Sequence, residues 1–219
     1  MVANLGKSRD IAVRFGIAGV GLLLALAAAI PGFADRARSG ACESAAVATL
    51  RNLCAAQREF CHCHWVDGDG DGRGEPGFFG ELTAATPVRA PANGAGARVV
   101  DVPLLPPSFA EVEGGRVHRG GYWFQIWLPA RGSRWVGDAA SAGEVDAAAA
   151  PSGWRAYAWP DDQREHGRAF VIDASGIVRA CANAGLHYCG SERPVSAEAA
   201  GPTGAAVRGR DGNDWVVVQ

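Results

Sequence analysis

The distribution of apolar positions divides the chain into three regimes. Residues 15 to 34, FGIAGVGLLLALAAAIPGFA, carry no charged side chain. As a helix rising about 1.5 Å per residue, this run reaches roughly 30 Å, the thickness of a bilayer core. The following stretch, up to about Phe60, is rich in Ala, Leu, Arg, Glu and Gln and free of proline, so it is expected to stay helical. There Ala46, Leu50, Leu53, Gln57 and Phe60 recur at steps of three and four and draw one packing stripe, with Arg51, Asn52 and Arg58 elsewhere. Together the two predict one long N-terminal helix, with Pro31 and Gly32 as its kink.

Beyond residue 60 the period shortens. Tyr122 to Leu128, Trp154 to Trp159, Ala169 to Ile172, Ile177 to Cys181 and Trp215 to Val218 are short, aromatic or β-branched, and bounded by Gly, Pro and Asp. They read as strands. Asp173-Ala174-Ser175-Gly176 reads as a hairpin turn. No helical pattern long enough for a crossover lies between these strands, so an antiparallel meander is expected. Residues 86 to 98, 137 to 153 and 191 to 213 are Ala/Gly/Pro-rich without an apolar period and read as loops. The organisation expected is a cytoplasmic N-terminus at 1–14, a transmembrane half-helix at 15–34, an amphipathic half at 35–60, and one sheet head at 61–219.

Charge adds an orientation. Lys7, Arg9 and Arg14 precede the apolar run, which keeps the N-terminus cytoplasmic by the positive-inside tendency. A cleaved signal peptide ending near Gly32-Phe33-Ala34 is the alternative, and both readings export residues 35 to 219. The six cysteines, an even number, fit an oxidising destination. Lys and Arg number 21 against 23 Asp and Glu, a net charge of -2 without a basic stripe, and this argues against a nucleic-acid partner.

The candidate chemistry is concentrated in CHCHWVDGDGDGRGE, residues 61 to 75. Asp67, Asp69, Asp71 and Gly72 match the opening of a calcium loop, in which alternate carboxylates turn inward around one hard cation. The backbone carbonyl of Arg73 adds a ligand, and Glu75 at loop position nine is a further candidate. Position twelve is Phe78 where an EF-hand has a bidentate glutamate, so the loop is not an EF-hand. The adjacent Cys61, His62, Cys63 and His64 are too close in sequence to share one tetrahedral zinc. Cys42, Cys54, Cys61, Cys63, Cys181 and Cys189 are instead disulfide candidates, with 15 possible connectivities and Cys181–Cys189 as the first choice. A metal-binding or redox module centred on the Cys-His run is the competing function. His118, His166 and His187 lie in loop-like contexts, Asp161-Asp162 reads as a turn, and no hydrolase, P-loop or dinucleotide signature occurs. A non-enzymatic protein is expected.

The order of these features resembles a family. AAAIPGFADRARSG running into ESAAVATLRNLCAAQREF is similar to the stalk helix of type IV pilins and type II secretion pseudopilins, and DGDGDGRGEPGFFGEL resembles the Asp-Gly loop of a pseudopilin-like subgroup. The prepilin cleavage motif is not preserved: with Pro31 aligned to the stalk proline, Arg9 and Arg14 stand where the family has glycine and glutamate. The resemblance implies an α+β pilin-like fold, a long N-terminal helix packed on an antiparallel β-sheet. It also implies a single-pass inner-membrane location with the head on the periplasmic or extracellular side, and a structural role in assembly with other pilin-like subunits.

Overall fold

The computed structural model describes residues 37–89, 98–161, 167–201 and 206–218. The chain divides into two compact units, Met1–Ala41 and Cys42–Gln219. Of the first, the described residues are 37–41, which are helical.

The second unit is built on an eight-stranded antiparallel sheet. Its strands are β1 (Arg116–Arg119), β2 (Tyr122–Ala130), β3 (Arg134–Val136), β4 (Arg155–Pro160), β5 (Ala169–Asp173), β6 (Arg179–Cys181), β7 (Ala206–Arg208) and β8 (Asp214–Val217). The order across the sheet is β1-β2-β4-β5-β6-β8-β7, with β3 pairing the far end of β2. Helix α1 covers residues 37–62. Two single-turn helices, α2 (Phe79–Leu82) and α3 (Ala150–Gly153), sit in the connections.

The pleat sends alternate side chains to opposite faces. Phe124, Ile126, Leu128, Ala156, Ala158, Phe170, Ile172 and Ala180 point to one side, where they join Ala46, Val47, Leu50, Leu53, Ala56 and Phe60 of α1 in one core. The register sets Phe124 beside Ala158 and Ala158 beside Phe170, so large and small residues alternate under the helix. Tyr157, Trp159, Ala169, Val171, Cys181 and Trp215 point the other way, into a second core closed by Tyr188, Val195, Ala199 and Ala200. The Asp173–Gly176 turn joins β5 to the segment leading into β6; Gly176 has φ +79° and donates to the Asp173 carbonyl.

Several expectations are corrected. The pilin-like α+β class gives way to an eight-stranded antiparallel sheet with a single helix of seven or more residues among the described ones. That helix is the amphipathic segment, and it is not a long apolar one. Among the described residues no helix is long and apolar enough to cross a membrane, which overturns the transmembrane, single-pass inner-membrane placement. The apolar run 15–34 itself lies outside the described residues. Strands β1, β3 and β7 were not expected. Two are short and rich in arginine, and β7 falls in the stretch 191–213 whose Ala, Gly and Pro content reads as loop.

Candidate functional site: the Asp loop at the end of α1

Helix α1 ends in a left-handed residue, His64, with φ +51°. Such a residue turns the chain off the helix axis and lets the last amides find carbonyls: Cys63 N–H donates to Glu59 and His64 N–H to Cys61, at 2.9 and 3.0 Å. His64 is exposed, and its Nε2 stands 2.9 Å from the Gly72 carbonyl oxygen, within reach to donate. The end of the helix thereby grips the tip of the loop that follows.

The loop is organised by its own carboxylates. Asp67 accepts from the Gly70 and Gly72 amides at 2.9 and 3.2 Å, Asp69 from Asp71 at 3.2 Å, and Asp71 from Arg73 at 2.7 Å. Gly70 and Gly72, at φ +74° and +80°, supply the two bends, conformations an L side chain resists. One carboxylate oxygen from each of Asp67, Asp69 and Asp71 lies within 4.8 Å of the others. Asp67 is half-buried; the other two are exposed. Three like charges so close raise the local potential, and a divalent cation reverses the sign of that interaction.

Beneath the loop lies a buried polar chain. Glu75 is 3% exposed; its Oε1 accepts from Gly68 N–H at 2.5 Å and its Oε2 lies 3.6 Å from Arg89 Nη2. Burial holds the Glu75 carboxyl above the usual carboxylate value, partly offset by the Gly68 amide and the Arg89 guanidinium. Arg89 also donates to Glu81 at 3.1 Å and to the Pro76 carbonyl at 2.7 Å. Glu81 in turn accepts from the Phe78 and Arg89 amides, each at 2.8 Å. The buried Gln57 on α1 exchanges two hydrogen bonds with Gly77, at 2.7 and 2.8 Å. A cavity of about 430 Å³ opens beside this chain, walled by Val66, Glu75, Arg89, Arg131 and Val145.

The candidate residues therefore separate into two groups. Asp67, Asp69 and Asp71 are brought together. Glu75 is directed inward to Gly68 and Arg89 and serves as a support under the loop. Arg73 follows the triad, with its amide committed to Asp71. Sequence reasoning did not find Gln57, Glu81 or Arg89 as supports, because their partners are backbone groups or lie eight or more residues away. It also missed the grip of His64, which the neighbouring cysteines had made look like metal chemistry.

All six disulfide candidates are free thiols in this structure: Cys54, Cys181 and Cys189 buried, Cys42 and Cys61 half-buried, Cys63 exposed. Burial pushes Cys61 up to about 11. The hydrogen bond of Cys63 to the Glu59 carboxylate, 3.4 Å long, also raises its value. Among the described residues no Cys or His joins a converging group of three ligands. Of the histidines outside the cluster, His118 pairs with Asp161 at 3.0 Å, His187 Nδ1 lies 3.0 Å from the Asn183 carbonyl, and His166 falls outside the described residues, as does Asp162.

The chain matches no protein-family model, no curated protein and no solved structure at a significant level of similarity.

Proposed function

We propose that this chain is a non-enzymatic structural subunit that assembles with copies of itself or with similar chains, in the manner of the secretion and pilus systems its sequence resembles, and that its Asp loop takes a calcium ion. The observation that carries the reading is the convergence of Asp67, Asp69 and Asp71 to within 4.8 Å directly after α1. Calcium suits an all-oxygen set with variable coordination number, in which the Arg73 carbonyl and water complete the shell. Bound there, the ion would stiffen the passage from the helix to the sheet. The Cys-His alternative draws no comparable support, because among the described residues no Cys or His joins a converging group of three ligands.

Calcium added to EDTA-stripped protein is expected to raise the melting temperature, by the equivalent of about 2.7 kcal/mol at a hundredfold excess over Kd. An Asp69→Asn, Asp71→Asn double variant should lose that response. An unchanged melting curve in the wild type rejects the cation. Cross-linking in the native host tests assembly: adducts with itself or with similar chains are expected, and recovery as monomer alone rejects the assembly.

A further inference from the structure

The buried chain under the Asp loop does not balance its charge. Glu75 and Glu81 are 3% and 1% exposed, and the two carboxylates share one guanidinium, that of Arg89. The Arg89 donors go to Glu81, from Nη1, and to the Pro76 carbonyl, from Nη2. Glu75 Oε1 is met by the Gly68 amide. Glu75 Oε2 stands 3.6 Å from Arg89 Nη2, outside hydrogen-bond reach, and accepts no hydrogen bond among the described residues. Asp67 and Asp69 lie near enough to add to the negative potential at this carboxylate. A carboxylate held out of water with one oxygen unmet is costly until a donor or a positive charge reaches it.

Space for such a group lies alongside. Glu75 and Arg89 are the buried charged members of the wall around the cavity of about 430 Å³, a volume within the range of small-molecule sites. Val66, Ala142, Val145 and Ala147 give the wall a short apolar stretch. Arg131 completes it from the exposed side, with one long contact, 3.4 Å from Nη2 to the Gly143 carbonyl. Its remaining donors are open to an anion, which a guanidinium receives through paired hydrogen bonds.

One cavity therefore presents a buried acceptor of negative charge, an exposed donor of positive charge and an apolar wall. A metal ion would find a single oxygen at Glu75. A simple amine would meet a like charge at Arg131, and a simple carboxylate would meet one at Glu75. We propose that this cavity binds a free aliphatic α-amino acid, with its ammonium donating to Glu75 Oε2, its carboxylate on Arg131 and its side chain against Val66 and Val145. The site uses none of the oxygens of the Asp triad and rests on neither the calcium ion nor the assembly put forward above.

Titration calorimetry on the full chain in EDTA tests this, with L-valine as the probe. Saturable binding of one L-valine per chain is expected. Isovalerate lacks the ammonium and isobutylamine lacks the carboxylate; each should bind about tenfold or more weakly, through loss of one charged hydrogen-bonding end. Glu75→Gln keeps an oxygen for the Gly68 amide and removes the charge, while Arg131→Ala alters an exposed side chain. Each should weaken L-valine by about tenfold or more, and Arg131→Ala should also narrow the gap between L-valine and isobutylamine. If Glu75→Gln does not fold, Arg131→Ala and the two truncated probes on the wild type carry the test. No saturable binding of L-valine up to about 10 mM, equal binding of the three probes, or equal L-valine binding by the wild type and Arg131→Ala overturns the proposal. Because calcium is absent from the assay, failure here leaves the Asp-loop reading intact. A chain that takes L-valine yet shows no thermal response to calcium loses the Asp-loop ion and keeps this site.

Discussion

On one side of the sheet α1 lays Leu50, Leu53 and Phe60, all essentially unexposed, onto Phe124, Ile126, Phe170 and Ile172. On the other side residues 189–201, a strap of tight turns, lay down a valine and a few alanines and are held by donors from Arg116, Tyr157, Trp159 and Arg179. The first cover depends on area removed from water, about 25 cal/mol per Å². The second depends on hydrogen bonds, each with a net value near 1 kcal/mol but costly to leave half-made. Area is insensitive to small displacements. Hydrogen bonds are directional and hold only while each donor stays in place.

The difference can be broken most severely at Phe60, which is 0% exposed and packs in the α1 core. Phe60→Ala is expected to cost about 3–5 kcal/mol, read as a fall in the denaturation midpoint, with loss of the whole cooperative transition at lower denaturant. The strap side has a chemical handle in Cys181, which burial pushes up from the ordinary thiol value of 9.0 to about 11. The native chain then keeps a proton that the unfolded chain releases. The stability this represents, on the order of 2 kcal/mol, is whole below pH 9 and is lost as pH rises towards 11. Urea titrations across that range should show the loss in the wild type and a reduced one in Cys181→Ala. The smallest change is Tyr157→Phe, which removes one hydroxyl that donates to Ala197 and accepts from Ala200. It should cost about 1 kcal/mol and, more tellingly, speed amide exchange in residues 195–200 while leaving α1 unaffected. Equal acceleration in both would show that the two covers open together.

What could be read from the chain follows the same division. The stripe Ala46, Leu50, Leu53, Gln57, Phe60 was legible because burial on one side of a helix imposes a period, and the structure buries every member of it. The aromatic stretches at 122–128 and 169–172 lie within β2 and β5, and 154–159 overlaps β4 from Arg155 onward, because alternate positions there are apolar on both faces. The strap left no such trace. Its contacts run from distant side chains to backbone carbonyls, and a backbone carbonyl looks the same in every residue. The Asp triad was visible by its spacing, whereas the inward turn of Glu75, the weaker candidate, was not. Nothing local to Glu75 signals that Arg89 and the Gly68 amide claim its two oxygens. The apolar run at 15–34 led to a membrane-spanning element that no described helix provides.

The Asp loop also has a modular character. Val66 C=O accepts from Glu75 N–H at 2.9 Å, so the loop closes on itself like the neck of a bag. A side chain at position 74 would put its Cβ 1.9 Å from the Cys61 carbonyl oxygen, and one at position 68 would lie 2.7 Å from Glu75 Oε1. At Gly70 and Gly72 the space is open. The two glycines nearest the neck are thus fixed by the scaffold, while residues 69 to 73 are exposed and meet the end of α1 through the His64–Gly72 contact. Asp69, Asp71 and Arg73 can be replaced without disturbing either core, whereas Gly70 and Gly72 hold bends that an L side chain resists. In the language of inheritance, the loop is a cassette: the scaffold specifies its mounting, and its contents are left to selection.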